Sequence, residues 1–167
     1  MRVHAGCDIL SIGRFSCTQV RQQDRFVMSQ APSSPSDVSD YTVAIIAPPW
    51  LQGGVAVVVK SIRQVRLVAC AGSVPIFLLL DLAREPDVII LAVDAPQAKA
   101  SDQVRPVRFV YPHARYLVLV QETAQFDSVR AAGADAILLQ GASAEQFTFE
   151  THQLLEAIKS ARESHSL

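Results

Sequence analysis

Two acidic residues, Asp94 and Glu122, are the side chains that could carry chemistry together. Asp94 comes two residues after the apolar run "VIILA" (88–92), and Glu122 comes two residues after "RYLVLV" (115–120). If both runs are parallel strands, their carboxyl ends meet at one edge of a sheet, where α/β proteins keep their ligands. Two carboxylates in one pocket could bind a metal ion. We favour a simpler interpretation of Asp94, a solvated loop residue before Pro96, because neither a lysine nor a further acidic pair accompanies it.

The other reactive residue types lack the spacing that catalysis or metal binding requires. His113 and His152 have no nucleophile at a characteristic spacing, so we expect surface histidines. The three cysteines show no metal-binding pattern, and their odd, sparse number argues against a disulfide framework. We therefore expect no catalytic residue, no metal and no cofactor, and we predict that the protein is not an enzyme.

The overall charge excludes some classes of partner. The 167 residues include 15 basic and 16 acidic side chains, a net charge of −1. This balance provides no general attraction to nucleic acid or to an anionic membrane. The longest apolar runs, "VAVVV" (55–59) and "IFLLL" (76–80), are far too short to span a bilayer. We expect no direct nucleic-acid partner, no membrane partner and a cytoplasmic location.

The first 40 residues differ from the rest of the chain. Residues 1–27 show neither helical nor strand periodicity, and residues 28–40, "MSQAPSSPSDVSD", are rich in Ser, Pro and Asp. This composition is typical of a disordered segment. We predict a poorly ordered extension over residues 1–40, a folded domain over 41–163 and a tail over 164–167. A simple explanation of residues 1–27 is that Met28 is the true start.

The elements that would position these residues follow a regular alternation. Short apolar runs predict five strands, at 42–47, 66–71, 87–93, 115–120 and 135–140. Helical periodicity and caps predict helices near 51–65, 73–84, 101–109, 124–132 and 143–163, with Gly133 closing the fourth. Strands that alternate with helices indicate right-handed βαβ units and a parallel sheet covered on both faces.

Three segments resemble a known family. They are "REPDVIILAVDAP" (84–96), "PHARYLVLV" (112–120) and "VRAAGADAILLQGAS" (129–143). Through them, the chain from Thr42 to Ala161 resembles the receiver domain of two-component response regulators, with the LuxR/NarL group as the nearest in character. The resemblance implies a flavodoxin-like, three-layer sandwich with a five-stranded parallel sheet, strand order 2-1-3-4-5, and helices on both faces.

The resemblance also assigns positions to the family's phosphorylation site. A receiver carries its phosphate-accepting aspartate at the end of the third strand, and the corresponding residue here is Ala92. It holds Mg²⁺ through two acidic residues after the first strand, and the corresponding residues are Ala47 and Pro48. Mg²⁺ prefers several hard oxygen ligands, which these side chains do not supply. Asp94 would be the only shifted acceptor.

The family's switch positions are altered too. By the same resemblance, Val120 stands at the Ser or Thr position, Gln140 at the lysine position and Ile137 at the aromatic position. Phosphoryl transfer needs a metal and a cation to neutralise developing charge. The resemblance therefore implies a degenerate pseudo-receiver without an aspartyl-phosphate cycle.

Surplus apolar residues predict an interaction surface. The segment "PIFLLLDLA" (75–83) is apolar on more than one helical face, whereas a surface helix needs one apolar stripe. Phe77 and Leu80 are interface candidates, with burial beneath the N-terminal segment as the alternative. Phe147 on the last helix is a second candidate, since receivers often dimerise through that region.

The sequence favours a phosphorylation-independent signalling or regulatory module that binds a protein partner or forms a homodimer. One alternative is a flavodoxin-like ligand-binding protein or small enzyme that uses Asp94, Gln121 and Glu122 in the strand-end crevice. Another is the remnant of a transcriptional response regulator that has lost its DNA-binding domain, because no helix-turn-helix follows the last predicted helix.

Overall fold

Five parallel strands form the sheet in the computed structural model, which describes residues 41–93 and 99–164. The predicted extension over 1–40, Asp94 and most of the predicted tail lie outside the described residues. The strands lie in the order β2-β1-β3-β4-β5, which confirms the predicted fold class. Their bounds are β1 Tyr41–Ile46, β2 Val65–Ala71, β3 Val88–Ala92, β4 Arg115–Val120 and β5 Ala136–Leu139.

Helices cover both faces of this sheet. Their bounds are α1 Pro49–Ser61, α2 Val74–Leu78, α3 Ala100–Val110, α4 Phe126–Ala131 and α5 Ala144–Ser164, with a 3-10 turn at Thr123–Gln125. Val59 of α1 and Leu155 of α5 pack in the core on one face. Phe77 of α2, Val107 of α3 and Val129 of α4 pack in the core on the other.

The central strand β3 is buried along its whole length, as its unbroken apolar run predicted. It pairs with β1 on one side and β4 on the other, so its side chains alternate between the two cores. Ile90 and Ala92 belong to the α1/α5 core, and Ile89 and Leu91 to the opposite core. A strand covered on both faces has no place for polar alternation.

The prediction for the second helix is wrong in length, because α2 ends at Leu78 and not near Arg84. Leu78 at its end and Leu80 and Leu82 beyond it pack against the core, whereas Leu79 is exposed. Leu79 keeps a helical backbone, and the Leu80 N–H donates to the Phe77 carbonyl oxygen at 3.0 Å, so the helix ends in a tight turn. A run that is apolar at nearly every position contains no periodic signal that marks this end.

The other helices differ from the predictions mainly at their ends. Pro49 begins α1 at a position where its missing N–H costs nothing, and α1 ends before the predicted Val65, which opens β2. α3 continues through Pro106, although proline supplies no backbone N–H to the helix. Ser143 caps α5 as predicted: its Oγ accepts from the Gln146 N–H at 3.2 Å, and Gln146 Oε1 accepts from the Ser143 N–H at 3.2 Å. Within 41–93 and 99–164, no helix combines the length and apolar character that a membrane crossing requires.

Candidate functional site

Ala47 and Pro48 follow β1, and Ala92 ends β3. Because these strands are neighbours, all three residues lie at the carboxyl edge of the sheet, as the strand order predicted. All three are buried. Ala92 ends β3 and pairs with Leu119 of β4, and Ala47 follows β1 and donates its N–H to the Ala71 carbonyl oxygen at 3.0 Å. Their side chains present only carbon. The positions offer no oxygen ligand and no nucleophile.

Gln140, directly after β5, lies at the same edge of the sheet. Its side-chain Nε2 donates to the Val93 carbonyl oxygen at 2.7 Å and lies 3.5 Å from the Leu119 carbonyl oxygen. Its backbone N–H donates to the Val120 carbonyl oxygen at 2.7 Å. A neutral amide thus joins the ends of β3, β4 and β5 where the resemblance places a lysine. The amide supplies hydrogen bonds but no positive charge.

A second glutamine closes the edge from α1, and sequence reasoning missed it. Gln52 Nε2 donates to the Ala47 carbonyl oxygen at 2.7 Å. The sequence offered one indication of this contact: a residue in the first turn of α1 must lie close to the end of β1. Val120 is fully buried, and Ile137 is partly buried against the α2/α3/α4 core. Both are packing residues.

Of the acidic pair suggested by the sequence, Asp94 lies outside the described residues. Gln121 and Glu122 are exposed, and their backbone N–H groups donate to Gln125 Oε1 at 3.2 Å and 3.4 Å. Within the described ranges no group of three or more His, Cys, Asp and Glu side chains could hold a metal ion. Ligand binding through this crevice stays a prediction.

The interface candidates Phe77 and Phe147 are wrong for the described fold, because both side chains are buried in the core. The Phe77 ring packs against Tyr111 with centroids 5.5 Å apart. Leu80 is half-buried. The large apolar side chains that do reach the surface around α2 are Ile76 and Leu79, which are 54% and 86% exposed.

The opposite, amino edge of the sheet carries the charged groups. Asp87, just before β3, accepts from the Thr42 N–H at 2.7 Å and the Thr42 hydroxyl at 2.9 Å through Oδ2. Its Oδ1 accepts from Arg162 of α5, with Arg84 3.8 Å away. This single carboxylate connects β1, β3 and α5.

A second aspartate repeats this arrangement before β5. Asp135 Oδ1 accepts from Arg115 at 2.7 Å, and its Oδ2 accepts from the Tyr116 N–H at 2.9 Å and lies 3.7 Å from Arg108. Arg108 also donates to the Gly133 carbonyl oxygen. The buried Tyr116 hydroxyl donates to a backbone carbonyl at 2.8 Å, and burial raises the pKa of this phenol well above its usual range. Sequence reasoning missed the whole cluster, since its members are far apart in the chain.

Comparisons with known proteins show a similarity of fold. No protein-family model matches the chain, and no curated protein matches it. Among solved structures, it is similar to the "BeF3 Activated DrrB Receiver Domain", with a TM-score of 0.58 and 17% identity over 70% of this chain and 97% of that one. It is also similar to a LuxR family DNA-binding response regulator from Silicibacter pomeroyi, with a TM-score of 0.60 and 20% identity over 70% of this chain and 93% of that one.

A third similar structure is a longer protein, the response regulator RcsB from Salmonella typhimurium. Here the TM-score is 0.62 and the identity 15%, over 70% of this chain but only 59% of the RcsB chain. The chain thus spans nearly all of an isolated receiver domain and about three-fifths of RcsB. At identities this low the likeness concerns the fold. The described residues have the flavodoxin-like fold that response-regulator receiver domains share.

Proposed function

We propose that the protein is a phosphorylation-independent pseudo-receiver, a signalling or regulatory module that acts by binding another protein or a second copy of itself. The fold likeness to receiver domains supports a signalling role. The observation that carries the proposal is the carboxyl edge of the sheet, where Ala47, Pro48 and Ala92 are buried and Gln140 Nε2 is held by the Val93 carbonyl oxygen.

The chemistry of that edge argues against an acyl-phosphate cycle. A phosphoryl group in transfer needs a nucleophilic oxygen, a divalent cation and a fixed positive charge. The strand-end positions described here supply methyl groups, a proline ring and a neutral amide. Ala47 and Ala92 also belong to the hydrophobic core, so a charged phosphate there would lose hydration without gaining a partner.

The decisive experiment exposes the full chain to acetyl phosphate, and separately to beryllofluoride, each with Mg²⁺. We expect no added mass and no change in melting temperature. The DrrB receiver domain, whose structure is described as BeF3 activated, serves as the positive control. A Mg²⁺-dependent adduct would contradict the proposal, and its loss in Asp94→Asn would identify Asp94 as the acceptor.

The surface that best fits a protein contact is the exposed side of α2. Ile76 and Leu79 present apolar area there, and the end of α3 adds Phe109, which is 89% exposed, and Val110, which is 50% exposed. α2 and α3 are in contact. Apolar side chains concentrated on neighbouring elements are typical of interaction sites. This surface replaces the one that the sequence assigned to Phe77.

A further inference from the structure

A cavity of about 770 Å³ opens at the amino edge of the sheet, where the proposed function assigns no role. Four segments each supply it with one arginine: Arg84 before β3, Arg108 of α3, Arg115 of β4 and Arg162 of α5. These arginines lie up to 78 positions apart in the sequence, from 84 to 162. They converge only because the strands and α5 have their ends at this edge.

Among the described residues, positive charge is in excess in the lining. The carboxylates among them are Glu85 and Asp87, against four guanidinium groups. Asp87 is already engaged, since its Oδ2 accepts from the Thr42 N–H and hydroxyl and its Oδ1 from Arg162. Glu85 Oε1 accepts from the His113 N–H at 3.1 Å. Each guanidinium carries five N–H donors in a planar fork, so these two carboxylates do not match the donor capacity of Arg84, Arg108 and Arg115.

Asp135 neutralises part of this charge from outside the lining. It pairs with Arg115 at 2.7 Å and lies 3.7 Å from Arg108. With Asp135 included, three carboxylates face four guanidinium groups among the described residues, so the balance of the described charges is still positive. Arg84 is the most weakly paired of the four, because its contact with a described carboxylate is the 3.8 Å approach to Asp87.

Apart from His113, the remaining described lining is apolar. Pro86 and Pro112 contribute rings, and Ala114, Ile158 and Ala161 contribute aliphatic carbon. Small-molecule sites typically have volumes of roughly 300–1,000 Å³ and combine an apolar wall with a few polar groups that fix orientation. The size and the mixed lining suit an organic molecule better than a bare ion.

We propose that this cavity binds a small organic anion that carries phosphate or carboxylate groups. Guanidinium groups recognise both through paired N–H···O hydrogen bonds, and they do so best where apolar walls lower the local dielectric. Arg84 is the arginine most available to a ligand, because its side chain is 65% exposed and its contact with Asp87 is 3.8 Å long. The site lies at the edge of the sheet opposite to Ala92 and acts independently of phosphorylation.

The test is calorimetric titration of the full chain with pyrophosphate and with citrate, at matched ionic strength. We expect saturable binding of at least one probe with millimolar or tighter affinity, weakened by added sodium chloride. Binding of pyrophosphate alone identifies a phosphate-bearing ligand, and binding of citrate alone a polycarboxylate. Absence of saturable binding by both would overturn the proposal.

Two variants locate the binding. Arg84→Gln should weaken the affinity about tenfold, the scale of one charge-assisted hydrogen-bonding contact. Arg105→Gln removes the same charge from exposed α3 but does not line the cavity, so it should leave the affinity unchanged. Equal weakening in both variants would overturn the proposal, because it would indicate general attraction to a basic surface.

Arg115→Lys, which keeps the charge and loses the planar fork, should also weaken binding while the fold remains intact.

Discussion

Gln140 and Gly133 show how single residues determine the local chemistry and geometry of the sheet's edges. At the carboxyl edge, Gln140 donates its amide to the Val93 carbonyl oxygen and provides no charge. At the turn before β5, Gly133 adopts φ +104°. The resemblance predicted the position of Gln140 but not its hydrogen bond, because the Val93 carbonyl is 47 residues away. Gly133 was predicted as a helix cap, and its conformation confirms this.

Gly133→Ala should destabilise the protein by about 1–3 kcal/mol. Its backbone lies in the left-handed region, and an added Cβ would lie 2.6 Å from Arg108 Cδ. Urea denaturation followed by circular dichroism measures the change. Gly54→Ala is the matched control: Gly54 is inside α1, and a Cβ added there would have no neighbouring atom within 4 Å, so this variant should be neutral or stabilise by about 0.5–1 kcal/mol. Equal stability of both variants would refute the strain argument.

Tyr116→Phe should lower the free energy of unfolding at neutral pH by about 0.5–1.5 kcal/mol, the net value of one hydrogen bond. Burial raises the pKa of Tyr116 in the folded state, so its contribution is complete below the phenol's usual pKa of about 10 and is lost as pH rises above it. The difference between wild type and variant should therefore shrink in alkaline solution. Urea denaturation at several pH values measures this, and a difference that stays constant with pH would contradict it.

At the scale of elements, the sequence predicted the bounds of the strands more accurately than the bounds of the helices. β4 has the predicted bounds, and the other strands differ by one residue at one or both ends. α2 is much shorter than predicted, because a nearly all-apolar run contains no periodic signal that marks where the helix ends. The connections between elements were also unpredictable, and the most important of them is Asp87.

Asp87→Ala should destabilise the fold by about 2–4 kcal/mol. The change leaves the N–H and hydroxyl of the nearly buried Thr42 without their acceptor and removes the Asp87 contact of Arg162. Most of the loss comes from the Thr42 contacts, since Arg162 is 45% exposed and an exposed ion pair contributes little. Thermal and urea denaturation measure it. Asp127→Ala, at an exposed position in the first turn of α4, should change stability by no more than about 0.5 kcal/mol.

At the scale of the whole molecule, the two edges of one sheet differ in character. At the carboxyl edge, where α/β proteins keep their ligands, the described strand-end residues Ala47 and Ala92 are apolar, and Gln52 and Gln140 donate to neighbouring backbone carbonyl oxygens. The amino edge holds the arginine cavity. The exposed apolar residues of α2 and α3 form a third, separate feature. Any output of the proposed pseudo-receiver would therefore depend on its surface.

If the protein forms a homodimer, light scattering should give an average mass that rises toward the mass of a dimer as the protein concentration increases. Leu79→Glu should produce a monomer with an unchanged melting temperature, because Leu79 is 86% exposed and its loss costs the core nothing. Val57→Glu, at a 71% exposed position on α1, should leave the dimer intact. A wild-type chain that stays monomeric would contradict the homodimer and leave a different protein as the partner.

The sequence by itself determined the strand count, the alternation with helices and the type of residue at each strand end, because apolar runs and turn residues are local signals. It also determined which chemistry those strand-end side chains lack. Only the tertiary structure decided that Phe77 and Phe147 are core residues, that Gln140 reaches Val93, and that four distant arginines share one cavity. These facts depend on which faces meet after folding, and the spacing of residues along a chain does not contain that information.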